Sequence, residues 1–140
     1  MADAVATQTV FDGDRMAIMK FTNISDGTGE SKVLKVDVSA LLPNNYGIDC
    51  DRVTITKIHA ATTGMSVEIF WDATTDVLCQ TIAPDSDYSF DFEKFGGLPN
   101  NAGTGVTGDV LFSTVGASAG DLYTITLEMV KHYPNPFDTL

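Results

Sequence analysis

Residues able to do chemistry are few in this chain, and the most suggestive of them stand together. In Val67-Glu68-Ile69-Phe70-Trp71-Asp72-Ala73-Thr74-Thr75-Asp76-Val77-Leu78 the only tryptophan is followed by two aspartates four residues apart. Paired carboxylates cleave glycosides when they stand about 5–10 Å apart across a cleft. Asp72 and Asp76, with the hydroxyls of Thr74 and Thr75 and nearby carbonyls, are also candidates for calcium, which needs roughly six to eight oxygens. The surrounding alternation argues for a third role and ranks it first. Val67, Ile69 and Trp71 alternate before the aspartates, and Val77 and Leu78 resume after them. This is a β-hairpin whose short loop opens and closes on an aspartate, a residue that accepts hydrogen bonds from the turn backbone. Trp71 itself has two readings, the last core residue of its strand face or a contact anchor at a strand end.

Nucleophilic catalysis needs a Ser, Cys or Thr beside a base, usually histidine. The two histidines are His59, at the end of a predicted strand, and His132, before a proline-rich tail. Neither lies in a G-x-S-x-G or H-E-x-x-H setting, so His59 is expected as a surface or edge residue. Cys50 and Cys79 have no CxxC or Cys/His spacing, which argues against structural zinc. They are read as free, small hydrophobes, with a bridge between them left open. The stretch from Gly96 to Gly108 lacks the order and the lysine of a phosphate loop. It reads as a loop that needs positive φ at several glycines. No catalytic residue, cofactor or metal is assigned, and an enzyme is not expected.

The elements that must position these residues are strands. In Tyr123-Thr124-Ile125-Thr126-Leu127-Glu128-Met129 every second residue is apolar, the pattern of a half-buried strand. Tyr88-Ser89-Phe90-Asp91-Phe92 and Leu34-Lys35-Val36-Asp37-Val38 repeat it. Thr54-Ile55-Thr56-Lys57-Ile58 breaks phase after Ile55, which predicts a bulge. Met16 to Phe21 is apolar on both faces apart from Lys20, as in a strand covered on two sides or placed at a subunit contact. Turn residues at short spacing separate these runs, and only Val38 to Leu42, entered at Ser39, admits a turn of helix. The chain is expected to be all-β: a single-domain antiparallel sandwich, jelly-roll-like, of about eight or nine strands. It would carry an N-terminal arm over about 1–14 and an extended C-terminal arm over about 132–140.

At 140 residues one domain is expected, and 44% hydrophobic residues are enough to fill its core. The formal net charge of −11 would be repelled by phosphate backbones and anionic bilayers. Neither nucleic acid nor a membrane is expected as a partner. There is no apolar run of about 20 residues, and the first residues do not read as a secretory signal.

Four segments taken together resemble a group of small virion structural proteins of tailed phages, especially phages of aquatic bacteria. They are Phe11-Asp12-Gly13-Asp14-Arg15 with Met19-Lys20-Phe21-Thr22, then Phe70-Trp71-Asp72-Ala73-Thr74-Thr75-Asp76, then Phe95-Gly96-Gly97-Leu98 with Asn100-Asn101-Ala102-Gly103-Thr104-Gly105, and Thr126-Leu127-Glu128-Met129-Val130-Lys131. The resemblance spans roughly residues 8 to 131. It implies a non-enzymatic capsid decoration or cement protein made in the host bacterial cytoplasm. Such a protein would trimerise and bind the major capsid protein on the capsid exterior. Cys79 to Asp87 and the stretch after Lys131 depart from the group's pattern. Phe11, Trp71, Tyr133, Pro134, Pro136, Phe137 and Leu140 are the interface candidates. The alternative is a tail- or fibre-associated jelly-roll module that binds host glycan on Trp71 or Tyr46, with calcium at Asp72 and Asp76.

Overall fold

The computed structural model describes residues 4–133. Within them lie β1 (Ala4–Asp12), β2 (Met16–Ile24), β3 (Val33–Val36), β4 (Arg52–Thr63), β5 (Ser66–Trp71), β6 (Val77–Ile82), β7 (Asp87–Asp91), β8 (Val110–Val115) and β9 (Leu122–His132). Short 3-10 turns at Val38–Ala40 and Glu93–Phe95 are the helical pieces among the described residues. One sheet has the order β1-β2-β9-β4-β7 and the other β3-β8-β5-β6. All pairings are antiparallel. Strands β2 to β9 form a complete jelly roll, with β2-β9-β4-β7 facing β3-β8-β5-β6, and β1 is a ninth strand added outside β2.

The core lies where the inner faces of the two sheets meet. Strand β9 sends Tyr123, Ile125, Leu127 and Met129 inward and keeps Thr124, Thr126 and Glu128 partly exposed, because successive side chains of a strand alternate between faces. Phe112 of β8 lies edge-on between Phe21 of β2 (ring centroids 5.1 Å) and Tyr123 (5.9 Å). The predicted bulge stands between Ile55 and Lys57. It allows Ile55 and Ile58, of opposite parity, both to be fully buried.

Three local expectations need correction. Leu34 is half exposed, because a register shift between Leu34 and Val36 turns it off the core face that Val36 keeps. The 3-10 turn is capped by Asp37, whose carboxylate accepts the Ser39 N–H at 3.0 Å, so Ser39 does not open it. Within the segment expected as an N-terminal arm, Ala4–Asp12 is strand β1, paired with β2.

Two buried lysines tie the layers together. Lys35 Nζ meets Glu30 Oε2 at 2.5 Å, and the Tyr123 hydroxyl donates to the other oxygen of Glu30. Lys131 Nζ donates to Asp12 Oδ1 (2.6 Å), Gly13 O (2.8 Å) and Leu42 O (2.8 Å). The second oxygen of Asp12 accepts the Leu42 N–H at 2.8 Å. One ammonium thus joins β9, the β1–β2 hairpin and the loop after the first 3-10 turn, with three oxygens replacing the water it has lost.

Candidate functional site: the hairpin, the strand face and the uncovered edge

The aspartates of the hairpin are taken up by architecture. Asp76 Oδ1 accepts the Ala73 N–H at 3.0 Å, and Oδ2 meets Lys32 Nζ at 3.2 Å. The backbone hydrogen bond from Ala73 is the largest cause holding the Asp76 carboxyl below its ordinary range; burial opposes it and Lys32 adds to it. Asp72 Oδ2 accepts from the Thr107 hydroxyl at 2.8 Å, and its backbone exchanges bonds with Asp109 and Thr107. The two carboxylates close the β5–β6 loop and fasten it to the glycine-rich loop. Among the described residues no group of three or more His, Cys, Asp or Glu side chains is placed to hold a metal.

The glycine-rich loop has the backbone its composition predicts. Gly105 has φ +78°, and a Cβ there would strike the side chain of Thr74 in the hairpin loop. Gly108 has φ +88°, and its Cβ would overlap the carbonyl oxygen of Asp51. Both positions combine a left-handed backbone with a close approach that only glycine permits.

Trp71 is 1% exposed. The reading as a contact anchor is therefore corrected: the indole is packed between the sheets, where β5 lies beside both β8 and β6. Tyr133 is half-buried, its hydroxyl donates to the Asp14 carbonyl, and Lys131 Nζ lies 5.9 Å from its ring centroid. Phe11 is 51% exposed on β1. Pro134, Pro136, Phe137 and Leu140 lie outside the described residues. Cys50 and Cys79 are free thiols, and burial pushes Cys79 up to about 12.

One arrangement that sequence spacing did not signal is a hydrogen-bonded chain on the outer face of the five-stranded sheet. His59 is mid-strand in β4 rather than at a strand end. Its Nδ1 lies 2.9 Å from Ser89 Oγ on β7, and its Nε2 lies 2.6 Å from Glu128 Oε2 on β9. Serine, histidine and carboxylate in line are the parts of a nucleophilic site. Acyl transfer also needs free N–H donors aimed at the developing oxyanion. Here the amides of β4 and β9 are committed to ladders on both sides, Ser89 lies on the edge strand β7 with its N–H turned off the sheet edge, away from β4, and the His59 side chain is 42% exposed. The chain of bonds fastens three neighbouring strands across an open face.

The least satisfied surface is β1. Every residue from Val5 to Phe11 is exposed, those facing inward as well as those facing outward. The opposite sheet has four strands against five, and among the described residues none covers β1. At the other flank Tyr88, Phe90, Phe92 and Phe95 form a row with ring centroids 6.0–6.1 Å apart, and Tyr88 and Phe95 are well exposed. A shallow cavity of about 280 Å³ lies at one end, lined by Asp14, Arg15, Asn44, Tyr46 and Tyr133 among others.

No protein-family model matches the chain, and no curated protein matches it. Among solved structures it is similar to carbohydrate-binding modules of family 29. One mutant module is 12% identical, with 96% of this chain and 99% of that chain covered at a TM-score of 0.41. Another family 29 module is 9% identical, with 91% and 88% covered at a TM-score of 0.39.

Proposed function

We propose that this chain is a non-enzymatic structural protein of a phage virion, a capsid decoration or cement protein that binds the outer face of the major capsid protein and stabilises the head. The observation that carries the reading is β1. The jelly roll is complete without it, yet the chain adds a strand of nine residues that no layer among the described residues covers. Seven successive residues, including Val5, Val10 and Phe11, are left exposed by the described residues, a surface suited to burial against a neighbouring molecule. The charge of −11 suits a surface turned away from packed DNA. The four segments that resemble phage virion proteins point the same way.

A particle reconstruction tests this directly. Many copies spread over the head surface are expected; a few copies confined to a vertex or the tail would overturn the assignment. The non-enzymatic part is tested at Ser89. A fluorophosphonate probe is expected to leave it unlabelled, and Ser89→Ala should not change background ester hydrolysis. Labelling at Ser89 that His59→Ala abolishes would show a working nucleophile instead.

A second reading, a glycan-binding module, has one observation in its favour. Tyr46 is 88% exposed at the rim of the end cavity, beside the polar groups of Asp14, Arg15 and Asn44, and an open aromatic face with polar neighbours suits a sugar ring. Glycan binding lost in Tyr46→Ala, on a chain absent from heads, would favour it over the first.

A further inference from the structure

The free edge of β1 is built to pair with a copy of itself. We propose that two chains join their β1 strands antiparallel about a two-fold axis through Thr7, so that the two five-stranded sheets become continuous. The inference rests on the reading of β1 as a contact element: its backbone edge takes a second copy, and its exposed side-chain faces stay open to the capsid.

The geometry follows from which backbone groups of β1 have no partner among the described residues. Lys131 N–H donates to Arg15 O, and Arg15 precedes β2 in register with β9. Bonding direction alternates along an antiparallel strand. Ala17, Met19 and Phe21 therefore bond to β9, while Ile18, Lys20 and Thr22 bond to β1. The Gly13 N–H donated to Met16 O agrees with this phase. Across from Ile18, Lys20 and Thr22 stand Phe11, Gln8 and Ala6. The alternate residues Val5, Thr7 and Thr9 turn both N–H and C=O away from the sheet. About a two-fold axis at Thr7, Val5 of one copy faces Thr9 of the other, Thr7 faces Thr7, and Thr9 faces Val5. Each of these pairs exchanges both backbone bonds, and a threonine pair at the axis is favourable.

Charge selects this edge. Residues 4 to 11 carry none, in a chain whose net charge is −11. Asp12, the first carboxylate after them, is neutralised by Lys131. The opposite edge of the same sheet has Asp87 and Asp91 exposed on β7, where a second copy would bring carboxylate against carboxylate. Edge strands are commonly guarded by lysine, proline or inward charge. Strand β1 has none of these up to its bulge between Thr9 and Phe11. A two-fold pair uses each free β1 edge once and closes.

Sedimentation velocity and cysteine cross-linking on the full chain test the proposal. The wild type is expected to sediment as a dimer. Thr7→Cys should form a covalent dimer on mild oxidation, because directly opposed strand residues have Cα atoms about 5.5 Å apart, within disulfide reach. Gln8→Cys should cross-link poorly, since each Gln8 faces Ala6 of the partner. Wild type supplies the background, which buried Cys50 and the weakly ionising Cys79 keep low. Thr7→Pro removes only an outward donor, so it should give a monomer that still melts cooperatively. A wild type that is monomeric at every concentration, a trimer, or a dimer in which Thr7→Cys does not cross-link would each overturn the pairing. A monomer that still pellets with phage heads would overturn the pairing and leave the proposed function standing.

Discussion

Lys131→Met is expected to lower the unfolding free energy by about 3–5 kcal/mol, the usual effect of removing one member of a buried ion pair. The side chain of Lys131 is fully buried, and Asp12 is 11% exposed. Methionine keeps the length and apolar stem of lysine but leaves the Asp12 carboxylate, among the described residues, with the Leu42 N–H alone. Total stability of a domain is about 5–15 kcal/mol, so this one change removes a large share. The double variant Asp12→Asn/Lys131→Met should recover part of the loss, because removing both charges avoids an uncompensated one. Recovery should be incomplete, since the carbonyls of Gly13 and Leu42 still lack their donor. Burial works to lower the Lys131 pKa, but its hydrogen bonds and the charges of Asp12 and Tyr133 leave it raised. A raised lysine pKa gives stability that is complete below the ordinary value of about 10.4 and is lost as pH rises through the folded-state value. The contribution is therefore whole at neutral pH. Denaturant titrations of the two single variants and the double variant close the cycle; a loss below about 1 kcal/mol for Lys131→Met would show that water replaces the ammonium.

The position of Lys131 was legible in part. It continues the inward parity of Tyr123, Ile125, Leu127 and Met129, so alternation alone places it on the core face. Its acceptors were not legible, because Asp12 and Leu42 reach it only through the fold. Strand β9 and the bulge after Ile55 could be read because one face is apolar and the other polar. That contrast is what makes a strand visible in sequence. Strand β1 lacks it, since neither of its faces is buried, and its Ala, Thr and Gln residues read as an arm. Tyr88, Phe90 and Phe92 share a face as their spacing predicts. Tyr88 nonetheless remains exposed, because β7 is an edge strand. Ser89, His59 and Glu128 meet only because the sheet order puts β9, β4 and β7 side by side, and no local spacing encodes that order. The hairpin at Asp72 to Asp76 is legible in its strands and in the turn bond from Ala73 to Asp76, but not in the partner of Asp72, which is the distant Thr107 hydroxyl rather than the turn backbone.

Trp71→Ala is expected to cost about 3–5 kcal/mol, the range for deleting a large buried aromatic side chain. The indole is nearly sealed at 1% exposure, and its strand runs between β8 and β6, with Val110 and Val77 directly opposite in register. Truncation leaves a cavity that two hydrogen-bonded neighbours prevent from collapsing, which puts the cost toward the upper part of that range. A tryptophan acting as a contact anchor makes the opposite demand. Its removal would abolish binding and leave the isolated chain as stable as before. The single tryptophan lets both demands be read on one molecule. Emission of the native chain should be blue-shifted and resist quenching by iodide, and it should become accessible only on unfolding. Denaturant titration of Trp71→Ala followed by circular dichroism gives the stability. A loss below about 1 kcal/mol, or free quenching in the folded state, would sink the core assignment. Asp72 and Asp76 then matter through what they fix: they close the loop beside Trp71 and fasten it to the loop of Gly105 and Thr107. That closure is made of hydrogen bonds within the chain, so the loop's contribution to stability rests on the same elements that seal the indole.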